Sequence, residues 1–436
     1  AFRGFRVDVD RLDLATLQFL NPDFPRVNGY VQGSATLDSS WLDVRFRDAE
    51  LAHVDGAGEP TRATGSGRAT IEEQYVRYDL DLALAPLNLT MLARSYTALP
   101  ARGLVSGPIA VRGISEALEV RTELAGAAGR MTFDGTLDTY PPGYAIRGSG
   151  RLDGLDPRRL LDDASMPEGS ITAAWTADMR GDRTTNLDGT VSVDLARSML
   201  AGVRLYDGMA RLAFTPGRVR VDTLALESSA AVVTAWGGLG LALGARDSLR
   251  FAVDVDSLGG LRRWLTFSAP GDVAVPDDTL GGALRLRGTL TGTVDTNGTL
   301  GLAATLAGDE LRMGQTRLHR LVGHATLADV LRRPVGVLGL RADTIVTART
   351  GFTAATLDVA MQGVDQARVL AQLDARNGVR MLAAAEGGVA GDTVRLRVDS
   401  LNLDAAGDRW RLVAPAAVVR TPGVTSIGEL RLAGTG

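Results

Sequence analysis

Residues 251–265 read FAVDVDSLGGLRRWL, and the phase of the apolar positions changes in the middle of that stretch. Val253 and Val255 alternate with polar residues, as a half-buried strand requires. Asp256 and Ser257 intervene, and the next apolar residue is Leu258. Strand side chains have period two, so the flip needs one extra residue, which a β-bulge or a sharp bend supplies. An Asp at that point can bond backbone N–H groups that have lost their ladder partners. The same flip recurs at Val7-Asp8-Val9-Asp10-Arg11-Leu12 and at Val219-Arg220-Val221-Asp222-Thr223-Leu224. Two more copies are Leu340-Arg341-Ala342-Asp343-Thr344-Ile345 and Leu396-Arg397-Val398-Asp399-Ser400-Leu401. Five events of one kind identify a repeated structural unit.

Composition agrees with an array of light strands. A chain of 436 residues exceeds the size at which one core stops growing, about 250–300 residues, and stacked repeats escape that limit. Hydrophobic residues make up 45% of the chain but aromatics only 5%, so Ala, Val and Leu build the apolar surface. The 52 Gly and 16 Pro fall largely at the ends of short apolar runs, as turn punctuation does. All 47 basic residues are Arg, the net charge is −4, and there is no basic run interleaved with aromatics, which argues against nucleic acid as a partner. With no Cys, disulfides and thiolate metal sites are excluded. No apolar run approaches the roughly 18–20 residues of a spanning helix. The pattern is already under way at Ala1, so the sequence reads as an internal segment of a longer protein.

Along the chain, a unit recurs: bulged strand, one or two helical turns, polar loop, Gly, alternating strand, Gly. Its helices are expected at 14–20, after Pro86, at 157–161 and at 258–267, where an insertion around 272–278 lengthens the loop. Leu87, Met91, Leu160, Leu261 and Leu265 are expected to pack on the strands at their rim. Residues 1–290 carry these helical insertions. Residues 291–436 are mainly a β-meander with one expected helix near 326–332. Short Gly-, Asp- or Asn-containing connections favour antiparallel hairpins.

A search for chemistry finds little. His319 and His324 are five residues apart, not at helical metal-pair spacing, and His53 stands alone. There is no Cys nucleophile, no Gly-Lys-Ser/Thr phosphate loop and no Gly-x-Ser-x-Gly elbow. Asp recurs singly instead of in the dense ligand loops that hold Ca²⁺. The pairs Arg158-Arg159 and Arg262-Arg263 suit either a solvated helix face or contact with lipid headgroups. An enzyme is not expected, nor a metal or cofactor. What remains is the apolar face, either the core of a closed sandwich or an open, curved sheet with an unfilled groove. Small lining residues and frequent Gly favour the groove. Val7, Val9, Val219, Val221, Val253, Val255, Leu340, Leu396 and Val398 are the positions expected to line it.

The repeated V-D-x-L strands, the L-x-x-L insertions after Leu12, Leu87, Leu155 and Leu258, and Gly-bounded strands such as GALRLRG (282–288) resemble those of the AsmA-like and TamB-like proteins of diderm bacterial envelopes. The likeness covers most of the chain and lies in its texture. It implies an all-β, elongated antiparallel repeat array, the repeating β-groove or β-taco, with short helices between strands. It further implies a periplasmic location in the cell envelope and passive transfer of phospholipid, by its acyl chains, between inner and outer membranes. The membrane anchor and the outer-membrane partner would lie outside residues 1–436. The alternative is a scaffold for outer-membrane protein assembly acting through exposed strand edges.

Overall fold

The computed structural model describes residues 2–20, 27–56, 58–72, 75–95, 101–140, 144–161, 163, 165–260, 280–295, 297–347, 350–405, 407–421 and 424–435. It comprises two compact units, Ala1–Pro216 and Gly217–Gly436. Both are built almost wholly of antiparallel strands, with few and short helices.

The first unit begins β1 (Phe2–Asp13), α1 (Leu14–Leu20), β2 (Tyr30–Ser40), β3 (Asp43–Val54), β4 (Thr61–Ile71) and β5 (Val76–Asn88). It continues α2 (Leu89–Ser95), β6 (Leu104–Ile114), β7 (Ala117–Gly126), β8 (Gly129–Asp138), β9 (Ala145–Leu155), α3 (Pro157–Leu160) and β10 (Gly169–Arg180). It closes with β11 (Asp188–Leu195), β12 (Ser198–Leu200) and β13 (Val203–Thr215). Each strand pairs with the next in sequence, except that β11 and β12 lie in line between β10 and β13.

The second unit runs β14 (Arg218–Ser228), β15 (Val232–Gly240), β16 (Asp247–Val255), β17 (Leu280–Gly292), β18 (Leu300–Met313), β19 (Thr316–Ala328) and β20 (Val335–Val346). Then follow β21 (Gly351–Gln362), β22 (Ala367–Ala375), β23 (Arg380–Ala390) and β24 (Thr393–Ala405). The last strands are β25 (Asp408–Leu412), β26 (Ala416–Thr421), β27 (Val424–Ile427) and β28 (Leu432–Thr435). Along β24 the meander divides, with β25 and β26 both paired to it.

The expected phase flips are real at three of the five aspartates. The register shifts by one residue between Val9 and Leu12, between Val221 and Leu224, and across Asp399, where Ala384 faces Ser400 and Ala385 faces Val398. At Asp256 the strand ends in a bend and the chain turns into the short helical stretch 258–260. At Asp343 the expectation is corrected: register continues unbroken to both neighbours, and the irregularity is a left-handed Thr344, φ 56°. Further bulges lie where no phase flip marks them, among them Asp48 (φ 50°) in β3, Asp153–Gly154 in β9, Glu310 (φ 50°) in β18 and Thr353 in β21. The bulge aspartates do not bond freed amides. Asp222 and Asp399 instead hold Arg220 and Arg397, two residues earlier on the same face, at 2.8 and 2.7 Å. A residue and its i−2 neighbour share a face, so the guanidinium reaches the carboxylate more readily than a ladder amide does.

The helices follow bulged strands. Pro86 sits in the irregular stretch Leu84–Leu87 of β5, not at the start of a helix. Bulges tolerate a residue that cannot donate to the ladder. The cap of α2 is Asn88, whose Oδ1 accepts from Met91 N–H at 3.2 Å while its Nδ2 donates to Glu59 O at 2.7 Å, so this buried amide is satisfied on both sides. Asp156 caps α3 by accepting from Arg158 N–H at 3.0 Å, with Pro157 in the first turn. Leu89 of α2 packs with Ala101, Val105 and Leu124, and Leu84, Leu87, Met131 and Leu160 close around them, so the helices lie against the strand ends as expected. Met91 is buried as well. Leu261, Leu265, Arg262, Arg263 and the insertion at 272–278 fall outside the described residues. Residues 326–332 are not helical: β19 runs to Ala328 and a turn follows. Among the described residues no helix is long and apolar enough to cross a membrane.

Candidate binding face

Antiparallel register places directly opposed residues on one face, so the ladders can be read across each unit. In the second unit one row runs Val233, Val253, Leu286, Leu306, Gly323, Leu340, Leu357, Ala371, Ala383 and Leu401, from β15 to β24. A parallel row runs Val221, Gly237, Leu249, Leu290, Leu302, Leu327, Gly336, Met361, Ala367, Gly387, Leu396 and Val418. Neither row contains a charged or polar side chain. Val398 belongs to the row of Phe251, and Val255 to that of Leu284. Val219 faces Leu239 on the same side. All seven site residues expected in this unit therefore share one apolar face. At about 4.8 Å per strand, twelve strands carry it over roughly 50 Å.

The first unit has its own apolar face. Phe5, Leu37, Phe46, Gly67, Leu80, Val111, Val120, Gly135, Gly148, Ala177, Val191 and Leu212 form one row. Val7 and Val9, opposite Ala35 and Gly33, lie on the same side.

These faces are not sealed. Among the described residues no side chain is less than 2% exposed, and of the nine expected lining residues only Val221 and Val255 are buried, the others half-buried. A closed sandwich core would bury large side chains completely. The expected lining positions therefore keep part of their apolar surface accessible. The group whose ionisation is shifted by burial alone stands on it: desolvation pushes the Tyr78 phenol up.

Aromatic rings keep the faces low. Phe133 and Trp175 stack with centroids 5.8 Å apart and planes 9° from parallel, on strands that flank Gly150. A Cβ at Gly150 would stand 2.8 Å from the Trp175 ring, and one at Gly288 would stand 2.7 Å from Phe251 Cζ. Glycine thus lets each ring lie down on the sheet instead of standing off it. Glycine here is more than strand-end punctuation, and a Gly at an inward position opposite an aromatic is the sequence signal of this use.

The opposite faces carry the charged side chains, with exposed Val322, Val337, Leu370 and Leu382 among them, and are tied together by cross-strand ion pairs, among them Arg68–Asp43 at 2.5 Å, Arg121–Asp134 at 2.9 Å, Arg320–Asp343 at 2.6 Å and Arg368–Glu386 at 2.6 Å. The guanidiniums of Arg68, Arg320 and Arg380 hold the carboxyls of Asp43, Asp343 and Asp374 below the usual aspartate range. Arg158 and Arg159 on α3 pair with Glu168 and Asp156, at 3.0 and 3.2 Å, as a solvated helix face does. All three histidines lie on strands: His53 Nε2 is 2.7 Å from Asn28 O, and His319 Nδ1 is 2.6 Å from Glu310. Among the described residues no three of His, Asp and Glu stand together as a metal site. Comparison with family models, curated proteins and solved structures finds no match to this chain.

Proposed function

We propose that the apolar faces are troughs for lipid, and that the chain is a segment of a periplasm-spanning groove through which phospholipid passes between membranes without an energy-consuming step of its own. The observation that carries this reading is the pair of uninterrupted apolar rows across the second unit, whose side chains are only partly buried. A 16-carbon chain taken through water costs about 13 kcal/mol, at about 0.8 per CH₂. Rows of Val, Leu and Ala remove most of that cost at every strand, and their uniformity leaves no deep site in which a lipid would be trapped. Interior strands spend both backbone edges on their neighbours, so a face, more than an edge, is what these units offer. That favours lipid over a client strand added by β-augmentation.

The test is site-specific photo-crosslinking in cells. A photoreactive residue at Val253, Leu306 or Leu340 should capture phospholipid, and one at Ala360, on the polar face, should not. Capture from neither face, or equally from both, would remove the trough from the function.

A further inference from the structure

Each unit also carries a shallow depression on its polar face. In the first unit the depression, about 690 Å³, is lined by Asp81, Glu123, Asp134 and Asp194, each with an arginine of its own, and by Arg151, which no carboxylate holds among the described residues. In the second unit the depression measures about 720 Å³, within the range of small-molecule sites. Arg250 and Arg287 line it, and among the described residues neither is paired with a carboxylate. The lining carboxylate, Asp254, is turned to Arg285 at 3.9 Å. Arg250 and Arg287 are thus two exposed guanidiniums on one basin with no carboxylate among the described residues to hold them.

We propose that this basin binds a phosphorylated sugar. Trp236 stands directly opposite Arg250, 46% exposed, and offers a flat apolar wall against which a sugar ring can lie. Arg287 is on the next strand, diagonal to Arg250, a spacing that long side chains span, so both forks can reach one oxyanion. The floor between the walls is short: Ala303 leaves it open, the Thr289 hydroxyl can both donate and accept, and the Thr305 hydroxyl, which donates to Arg287 O at 3.5 Å, keeps its acceptor lone pairs for a sugar hydroxyl. His324, opposite Thr305, forms the far wall; its ring lies over Gly339, leaving the floor open. From Arg250 to His324 is three strand spacings, about 14 Å, enough for a hexose with its phosphate. Arginine suits the phosphate because its planar fork matches the anion's oxygens. The site lies on the face opposite the apolar rows and does not depend on the lipid reading.

The phosphorylated sugar could be a soluble metabolite or the headgroup of a lipid, and the experiment separates them. The full chain is titrated with glucose 1-phosphate by calorimetry, and with vesicles of phosphatidylcholine with and without phosphatidylinositol. Saturable binding of glucose 1-phosphate is expected, weakening with added salt. An Arg250→Gln/Arg287→Gln variant should lose affinity by roughly tenfold or more, since each charge-assisted bond accounts for about that factor. Trp236→Phe should lower the fluorescence response to ligand. Both arginines are exposed, so the circular dichroism of the variant should match the parent. Binding of the soluble ligand alone identifies a free sugar phosphate, and binding of the inositol vesicles as well identifies a headgroup. If neither binds, or if the double variant binds as the parent does, the site does not exist.

Discussion

On the face that carries Val253, Leu286, Leu306 and Leu340, side chains find their partners in one another; on the opposite face the guanidiniums of Arg285, Arg320 and Arg368 find carboxylates across the ladder. Both faces come from the same strands and alternate residue by residue. The difference shows where such a sheet can act. Ion pairs in water contribute little, about 0–1 kcal/mol each, and their main effect is to leave the polar side soluble and satisfied. An apolar face open to solvent remains unsatisfied, and it is that face which a second molecule can cover at a gain.

The largest effect that would test this contrast is a charge on either side. Val253→Asp should cut phospholipid recovered with the purified protein by an order of magnitude, because an unpaired carboxylate in an apolar path costs several kcal/mol to desolvate. Ala360→Asp, on the polar face, should leave the recovery unchanged. Lipid per protein by mass spectrometry, with β-content as the folding check, decides between them. Equal losses would mean that the faces are not functionally distinct.

A smaller effect concerns the rings that lie on glycine. In Gly288→Val the new Cβ would stand 2.7 Å from Phe251 Cζ and 2.7 Å from Ala303 O, so the ring must stand up. Overpacking of this kind costs about 1–3 kcal/mol, to be read as a lower urea midpoint. The trough should also narrow, so lipid recovery is expected to fall with stability.

Single charges on the polar face come next. Asp399→Asn removes the carboxylate that Arg397 holds at 2.7 Å. The expected loss is at most about 1 kcal/mol, since the pair is exposed, and added salt should shrink it. A loss larger than that would show that the bulge itself depends on the carboxylate.

The smallest effect is that of acid. Arg68, Arg320 and Arg380 lower the carboxyls of Asp43, Asp343 and Asp374 in the folded protein. A depressed native value contributes stability that is complete above the unfolded aspartate value, about 3.9, and is lost as pH falls through the native values. Urea midpoints should therefore be flat with respect to these groups from pH 7 to about pH 5 and decline below about pH 4. Arg320→Gln should flatten that decline.

Strand alternation and its phase flips were legible in the residues themselves. Period two assigns every side chain to a face from local sequence alone, and the flips at Asp10, Asp222 and Asp399 told where the assignment reverses. That is why all seven lining residues expected in the second unit share a face. Asp343 misled because a left-handed Thr344 changes the backbone direction without adding a residue, and a pattern of apolar letters cannot tell the two apart. Pro86 misled because proline suits a helix start and a bulge equally well, and the neighbouring strand decided which. Whether the apolar face is sealed or open depends on what packs against it, which no single strand encodes. The same holds for the basin of Arg250, Arg287, His324 and Trp236: four residues on four strands, unremarkable in sequence, meet only because the ladder register sets them side by side.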